Sequence, residues 1–441
     1  MKNDVARDSV NTFGTNLISA VMALLTSFFL TRYLLPSEKG IIVSIQLIAS
    51  AIVTLVSFSF NSAVLYYVAK YDKTRIQKTI VKLSVYILLL IFVFGVALSL
   101  MSLVPGIKNT QFFKDTPFRF ILLAVPYALL SFGSSILLSI LRAENRFRSY
   151  NLIMLLQRML VFSFSIAVLL IRGMAAVYFM VVAYLIVSVI VSATSVITIK
   201  NSKYNSDSED ITAVTERDMM KYSLKTYPST LLSFGNNQAS SLILKGFLGN
   251  GSLGVFSIAY TLTETIWLLP TSVSMVIMTR LAAMTDDGDR VRLTVISCKI
   301  VMYLCVLLSA LMAVGAYYLI PVLFPNYTDA VLPLFIMLCG SIFICYSSVL
   351  SNSIAAYGRP ELNIISTACG VGANILLGFV FIPLYGLMGA AIATAISFSL
   401  QGIVSVIIFH IFTKARISEM LLPGKREINA VKSLLTKKKT M

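Results

Sequence analysis

Charge is scarce in this sequence. Asp, Glu, Lys and Arg make up 12% of its 441 residues, about half the share usual in a soluble globular domain, so the chain lacks the charged shell that keeps such a domain in water. Histidine occurs once, as His410, which gives no histidine-based metal site to propose. The five cysteines, Cys298, Cys305, Cys339, Cys345 and Cys369, are odd in number and form no CxxC pair. All lie in apolar segments of the second half, and the expectation is packed free thiols. Carboxylates are fewer than cations, 19 against 36, and the six apolar segments of the first half contain none.

What is present is hydrocarbon. Apolar residues are 57% of the chain and mean hydropathy is +0.86. The apolar stretches run roughly 20 to 28 residues, and at about 1.5 Å per residue each crosses a hydrocarbon core of about 30 Å as a helix. Twelve spans fit, roughly 10–34, 41–69, 80–104, 118–141, 150–171, 175–198, 222–246, 252–279, 294–320, 330–356, 362–382 and 387–412. The first is too long for a signal-peptide core and lacks a small-residue cleavage site, so it is expected to be retained. With both termini on the cytoplasmic side, inside segments hold 26 cations and outside segments 7, which is the positive-inside pattern. The net charge of +17 is therefore mostly an orientation signal, and no nucleic-acid partner is inferred from it. The basic tail, 414–441, is expected to lie on anionic membrane lipids.

The chain repeats itself at half its length. KGFLGNGSLGVFSIAYTL begins at Lys245, and RYLLPSEKGIIVSIQLI, beginning at Arg32, is a looser copy: a cation ends one apolar segment, a short turn follows, and Gly254 or Gly40 opens the next. RFRSYN ending at Asn151 is matched by GRPELN ending at Asn363, GMAAV from Gly173 by GLMGAAIA from Gly386, and Pro117 by Pro333, all at offsets of 212 to 216. The fold predicted is an all-α integral membrane protein with two pseudo-symmetric six-helix lobes, 1–200 and 221–413, joined by a polar cytoplasmic linker, 201–220.

Polar residues inside spans carry the functional signal, because hydrocarbon offers them no water. Stripes recur in spans one (Thr12, Asn16, Ser19, Ser27, Thr31), two (Ser50, Thr54, Ser57, Asn61), seven (Ser229, Ser233, Asn236 or Asn237, Ser240, Lys245, with Asn237 and Gln238 adding polarity) and eight (Ser257, Tyr260, Thr261, Glu264, Trp267, Thr271). Small residues at this spacing also serve plain helix packing. Glu264 lies near the midplane, where a carboxylate needs a cavity, a proton or a structural partner. Pro228 and Pro270 are placed to kink the helices around it. Arg158 is about eight residues into span five and either serves an anionic cargo or snorkels. The candidate substrate-binding set is Arg32, Asn61, Arg158, Lys225, Asn236, Asn237, Lys245 and Tyr260, with Glu264 for cation coupling. Arg32 and Lys245 stand at the rim. Four cations against one Glu suit an anionic substrate.

At RYLLPSEKG, FLGNGSLGVFSIAY, YGRPELN and the stretch from Asn374 to Ser397, NILLGFVFIPLYGLMGAAIATAIS, the chain resembles the Wzx-type O-antigen and exopolysaccharide repeat-unit flippases of the MATE-like MOP superfamily. The resemblance covers nearly the whole chain. It implies a V of two six-helix lobes and alternating access between leaflets. It also implies an undecaprenyl-diphosphate-linked oligosaccharide as cargo, and polymerase and chain-length partners in a bacterial inner membrane. No catalytic residue or cofactor is called for, and the coupling ion would be H+ or Na+. The absence of carboxylates from spans one to six departs from the drug-exporting MATE relatives. Multidrug export stays as an alternative, as do a repeat-unit polymerase or ligase and a scaffold or channel; short outside loops disfavour the enzymes.

Overall fold

The computed structural model describes residues 2–71, 73–200, 214–267, 270, 274, 281, 284, 286–415 and 417, with side chains described from Gly14 onward and not at 73–75. The helices in order are α1 (Lys2–Tyr33), α2 (Pro36–Val56), α3 (Phe60–Lys70), α4 (Lys73–Met101), the short α5 (Pro105–Lys108) and α6 (Gln111–Lys114), α7 (Phe118–Ala143), α8 (Phe147–Ala167), α9 (Met174–Lys200), α10 (Glu216–Ile266), α11 (Asp287–Leu323), α12 (Val331–Ala356), α13 (Leu362–Tyr385) and α14 (Leu387–Thr413). A 3-10 turn, Pro325–Ala330, joins α11 to α12. No strand occurs among the described residues, as expected where every backbone donor must find its acceptor within its own segment.

Eleven of these helices are long and apolar enough to cross a membrane. The count differs from twelve because the predicted seventh and eighth spans are merged in α10, 51 residues long. Its dihedrals leave the helical region at Gly249, φ 74° and ψ −162°, and not at Pro228. Only glycine adopts that conformation without strain, so one residue turns the chain where a loop was expected. The predicted second span differs in the opposite sense. It is two helices, α2 and α3, separated by Phe58 and Ser59 with φ of 49° and 62°. Most of the predicted 201–220 linker, nearly all of the 414–441 tail, Thr271 and much of the eighth span beyond Trp267 lie outside the described residues, as do the side chains of Lys2, Arg7 and Thr12.

Turns at Leu34–Leu35, 102–117, 168–173, Gly249, Phe324 and Gly386 form the end of the bundle opposite the termini, here called the distal end. The other is the terminal end. Two cores fill the molecule. One gathers Ile45, Ile52, Phe60, Ile87, Phe120 and Met180 from α2, α3, α4, α7 and α9. The other gathers Leu244, Phe256, Cys305, Met337, Val349 and Phe409 from α10, α11, α12 and α14. The cysteines are free thiols; Cys298, Cys305 and Cys345 are buried, whereas Cys339 and Cys369 are exposed rather than packed.

Small residues set the helix separations in the second core. A Cβ at Gly340 of α12 would come within 2.6 Å of the Ala395 Cα of α14, so the two backbones touch there. A Gly340→Leu change should therefore lower the thermal unfolding midpoint in detergent, through overpacking worth about 1–3 kcal/mol. Gly372→Ala, where a Cβ meets nothing within 4 Å, should leave that midpoint in place.

Candidate functional site

Several hydroxyls of the predicted stripes are already satisfied. Thr31 donates to the Ser27 carbonyl at 2.6 Å, Ser257 to that of Gly254 at 2.7 Å and Thr261 to that of Ser257 at 2.7 Å. Ser240 is fixed inside its own lobe, donating to Asn374 Oδ1 at 2.7 Å with Thr394 Oγ1 2.6 Å away. These four act as packing, whereas Ser19 Oγ is buried without a hydrogen-bond partner.

The charged residues behave differently. Arg158 on α8 and Glu264 on the second leg of α10 are both exposed, and each lies within electrostatic range of the other across the two lobes. They make no direct ion pair. Arg158 also acts on the hydroxyls of Tyr127 and Tyr184, from α7 and α9, and Tyr184 is hydrogen-bonded to Gln46 of α2. On the opposite side Tyr260, one turn before Glu264, feels its charge. The Tyr260 hydroxyl and the Trp267 Nε1 are buried without a hydrogen-bond partner. The two rings stand 6.1 Å apart, edge to face. An unpaired buried donor costs about 1–3 kcal/mol, and two such donors flank the one carboxylate.

Of the other predicted residues, Asn237 and Lys225 on α10 are exposed, and Asn236 is half-buried with its Oδ1 unpartnered. Lys225 stands near the terminal end, beside Thr226, which donates to Ser59 Oγ, just before α3, at 3.1 Å. Asn61 donates to Ser135 Oγ at 3.0 Å within its own lobe and keeps Oδ1 unpaired. Arg32 reaches across to the Leu323 carbonyl at 2.6 Å. Lys245, expected at the rim, is wholly buried between the lobes at the distal end. The structure thus gathers Arg158, Glu264 and Tyr260 and places Arg32, Lys225 and Lys245 elsewhere. The sequence reading missed Gln46, Tyr127 and Tyr184, which carry no charge and no repeat partner to mark them. An apolar hollow of about 500 Å³ lined by Val85, Leu89, Phe92, Leu129 and Gly133 offers nothing to an anion. Among the described residues no group of His, Cys, Asp or Glu is arranged to hold a metal ion.

The polysaccharide biosynthesis protein family matches residues 5–279. An uncharacterized membrane protein of Methanocaldococcus jannaschii is 23% identical over 448 aligned residues, covering 95% of this chain and all of that one. A second from the same organism is 27% identical over 112 residues, and the chain spans only 22% of its length. Among solved structures, the lipid II flippase MurJ in an inward closed conformation superposes with a TM-score of 0.68 at 16% identity, covering 96% of this chain and 91% of that one. An inward-facing multidrug resistance MATE transporter of the MOP superfamily gives 0.60 at 17% identity, covering 93% and 98%. A MOP superfamily transporter from Pyrococcus furiosus gives 0.58 at 17%, covering 94% and 96%. At these identities the likeness establishes the fold, which is that of the MOP transporters.

Arg158 and Glu264 should be energetically coupled. A cycle of Arg158→Gln, Glu264→Gln and the double variant, read by thermal unfolding, should leave an interaction term of about 0.5 kcal/mol or more. Additive single effects would mean that the two charges do not sense each other.

Proposed function

Because this chain belongs to the polysaccharide biosynthesis protein family, we propose that it is a Wzx-type flippase, moving an undecaprenyl-diphosphate-linked oligosaccharide repeat unit from the inner to the outer leaflet of a bacterial cytoplasmic membrane by alternating access. The observation that carries this reading is Arg158 facing Glu264 across the lobes without an ion pair. A diphosphate head and its sugars cannot enter hydrocarbon without replacements for their water. A guanidinium offers the diphosphate two parallel charge-assisted bonds. The tyrosine hydroxyls, the Trp267 Nε1 and the amides of Asn236 and Asn237 supply donors for sugar oxygens. The lipid tail never leaves the bilayer, and no bond is made or broken. Outward movement of an anion is also favoured by a potential negative inside, by about 2.3 kcal/mol per charge per 100 mV.

Glu264 is assigned to cation coupling, with H+ or Na+ as the ion. Charged, it repels the cargo and competes with it for Arg158; neutralised by a proton or a cation, it does neither. A differential affinity of this kind between two conformations is all that coupling requires. The drug-exporter alternative fits the fold equally well but not the cation that faces the site. The polymerase alternative finds no support in the fold, which is a transporter's.

Three outcomes test the proposal. Arg158→Ala should abolish most flipping of a lipid diphosphate oligosaccharide in proteoliposomes, while Arg158→Lys keeps part of it, since a point charge still pairs with phosphate but loses the fork. Glu264→Gln should flip at a rate indifferent to an imposed proton or sodium gradient; a response equal to the parent's would make Glu264 structural. Reporter fusions at Asp210 and Lys437 should read as cytoplasmic, as the cation asymmetry requires.

A further inference from the structure

The buried cation at the distal end is not used by the transport site, and its surroundings assign it another task. Lys245 on the first leg of α10 is 0% exposed. Its Nζ donates to Ser44 Oγ of α2 at 2.7 Å, to Asn250 Oδ1 at 3.0 Å and to Thr116 Oγ1 at 3.1 Å, and it lies 5.0 Å from the Phe112 ring centre. Asn250, just past the Gly249 break, donates in turn to the Asp115 carbonyl at 2.8 Å and to Thr116 Oγ1 at 2.9 Å, and accepts from Ser44 at 2.6 Å. Ser44, Phe112, Asp115 and Thr116 belong to the first lobe; Lys245 and Asn250 belong to the second. The Asp115 charge is close enough to act on the ammonium but forms no ion pair with it.

The backbones meet at the same place. A Cβ on Gly40 would fall on the Asn250 carbonyl, and one on Gly254 would fall on the Pro36 carbonyl while standing 3.1 Å from the Gly40 nitrogen. The repeat-related glycines thus abut each other on the axis between the lobes. A second clasp stands in the corresponding position of the other half: Tyr327 donates to the Leu34 carbonyl at 3.0 Å, with Lys39 Nζ 5.8 Å from its ring centre.

At the terminal end the lobes are joined differently. Thr230 donates to Ser59 Oγ, in the break before α3, at 2.8 Å, Tyr227 to the Leu55 carbonyl at the end of α2 at 2.8 Å, and the Tyr66 and Tyr222 rings stack at 4.5 Å. These contacts hold hydroxyls and rings and contain no buried cation.

We propose that Lys245 is the bolt of a gate at the distal end: its ammonium, inserted from the second lobe between neutral acceptors of the first, holds the lobes together there, and that end opens only when Lys245 and Asn250 withdraw. The proposal rests on the transporter reading, since a gate has meaning only in a molecule that opens. The neutral acceptors suit the task. Water entering the seam can replace each of them for an ammonium, so the bolt is firm when dry and releases once wetted.

The test is a pair of spin-label distances in the full chain, with Cys339 and Cys369 replaced by Ala. Labels at Leu170→Cys and Leu384→Cys, exposed sites on the two lobes flanking distal turns, report the gate. Labels at Asn145→Cys and Arg359→Cys, exposed at the terminal end, report the other mouth. Lys245→Met, and separately Asn250→Ala, should raise the long-distance population of the distal pair at least tenfold while the terminal pair does not lengthen. Asn250→Ala carries the test should Lys245→Met fold poorly. An unchanged distal distribution in a folded variant overturns the bolt, as does lengthening of both pairs together, which would mean general loosening. Loss of flipping in Lys245→Met with unchanged distances would return Lys245 to direct contact with cargo and leave the transporter reading standing. A parent protein that flips no lipid-linked oligosaccharide would remove that reading whatever the distances.

Discussion

Inside a bilayer nothing competes with the protein for its own polar atoms, and this architecture follows from which group takes the place of water. Backbone amides are answered within each helix, so among the described residues the chain has no other regular structure. Many span hydroxyls are answered by carbonyls three or four residues earlier, as Thr31 and Thr261 are. What remains is a short set of groups that the chain leaves unanswered or answers across the lobes. Glu264, Arg158, Tyr260 and Trp267 are of the first kind; Lys245 and Asn250 are of the second. The same cost of polarity thus sorts the first set to the candidate site and the second to the contact between the lobes.

The fold was legible in the sequence because each span must be an apolar run of nearly fixed length, and because the duplication shows in matched turns. The break at Gly249 falls inside the predicted turn between spans seven and eight, where Gly249, Asn250 and Gly251 mark it. The boundary that escaped is the Ser57–Ser59 break, which has no glycine to signal its left-handed backbone. In the site, depth along the helix singled out Arg158 and Glu264, but depth along one helix says nothing about what faces it. That Arg158 and Glu264 face each other depends on how the two lobes meet. Lys245 shows the limit most clearly. Its position at a span end is the same whether it snorkels outward or turns inward, and only the acceptors on α2 and at Thr116 decide it.

Duplication has left the two halves alike in outline and unlike in duty. Arg32 and Lys245 are repeat counterparts, yet Arg32 caps the end of α11 through a carbonyl and remains exposed, while Lys245 is sealed among side chains of the other lobe. Arg158 in the first lobe faces Glu264 in the second. A pseudo-two-fold frame supplies symmetric packing, as at Gly40 and Gly254, and its sequence differences supply direction.

The seam between the lobes also bears on how the molecule is made. Ribosomes deliver the first lobe before Lys245 and Asn250 exist, so the newly inserted half must wait in lipid with Ser44 and Thr116 lacking the partners that later occupy them. The notch at Gly40 stays vacant until Gly254 arrives to fill it. The early half is then a template with two missing contacts, and the incoming leg of α10 leaves the translocon beside a surface already shaped to receive its lysine. Assembly and the finished contact between the lobes draw on the same few hydroxyls, so a substitution there is read twice, once while the chain is put together and again in the completed molecule.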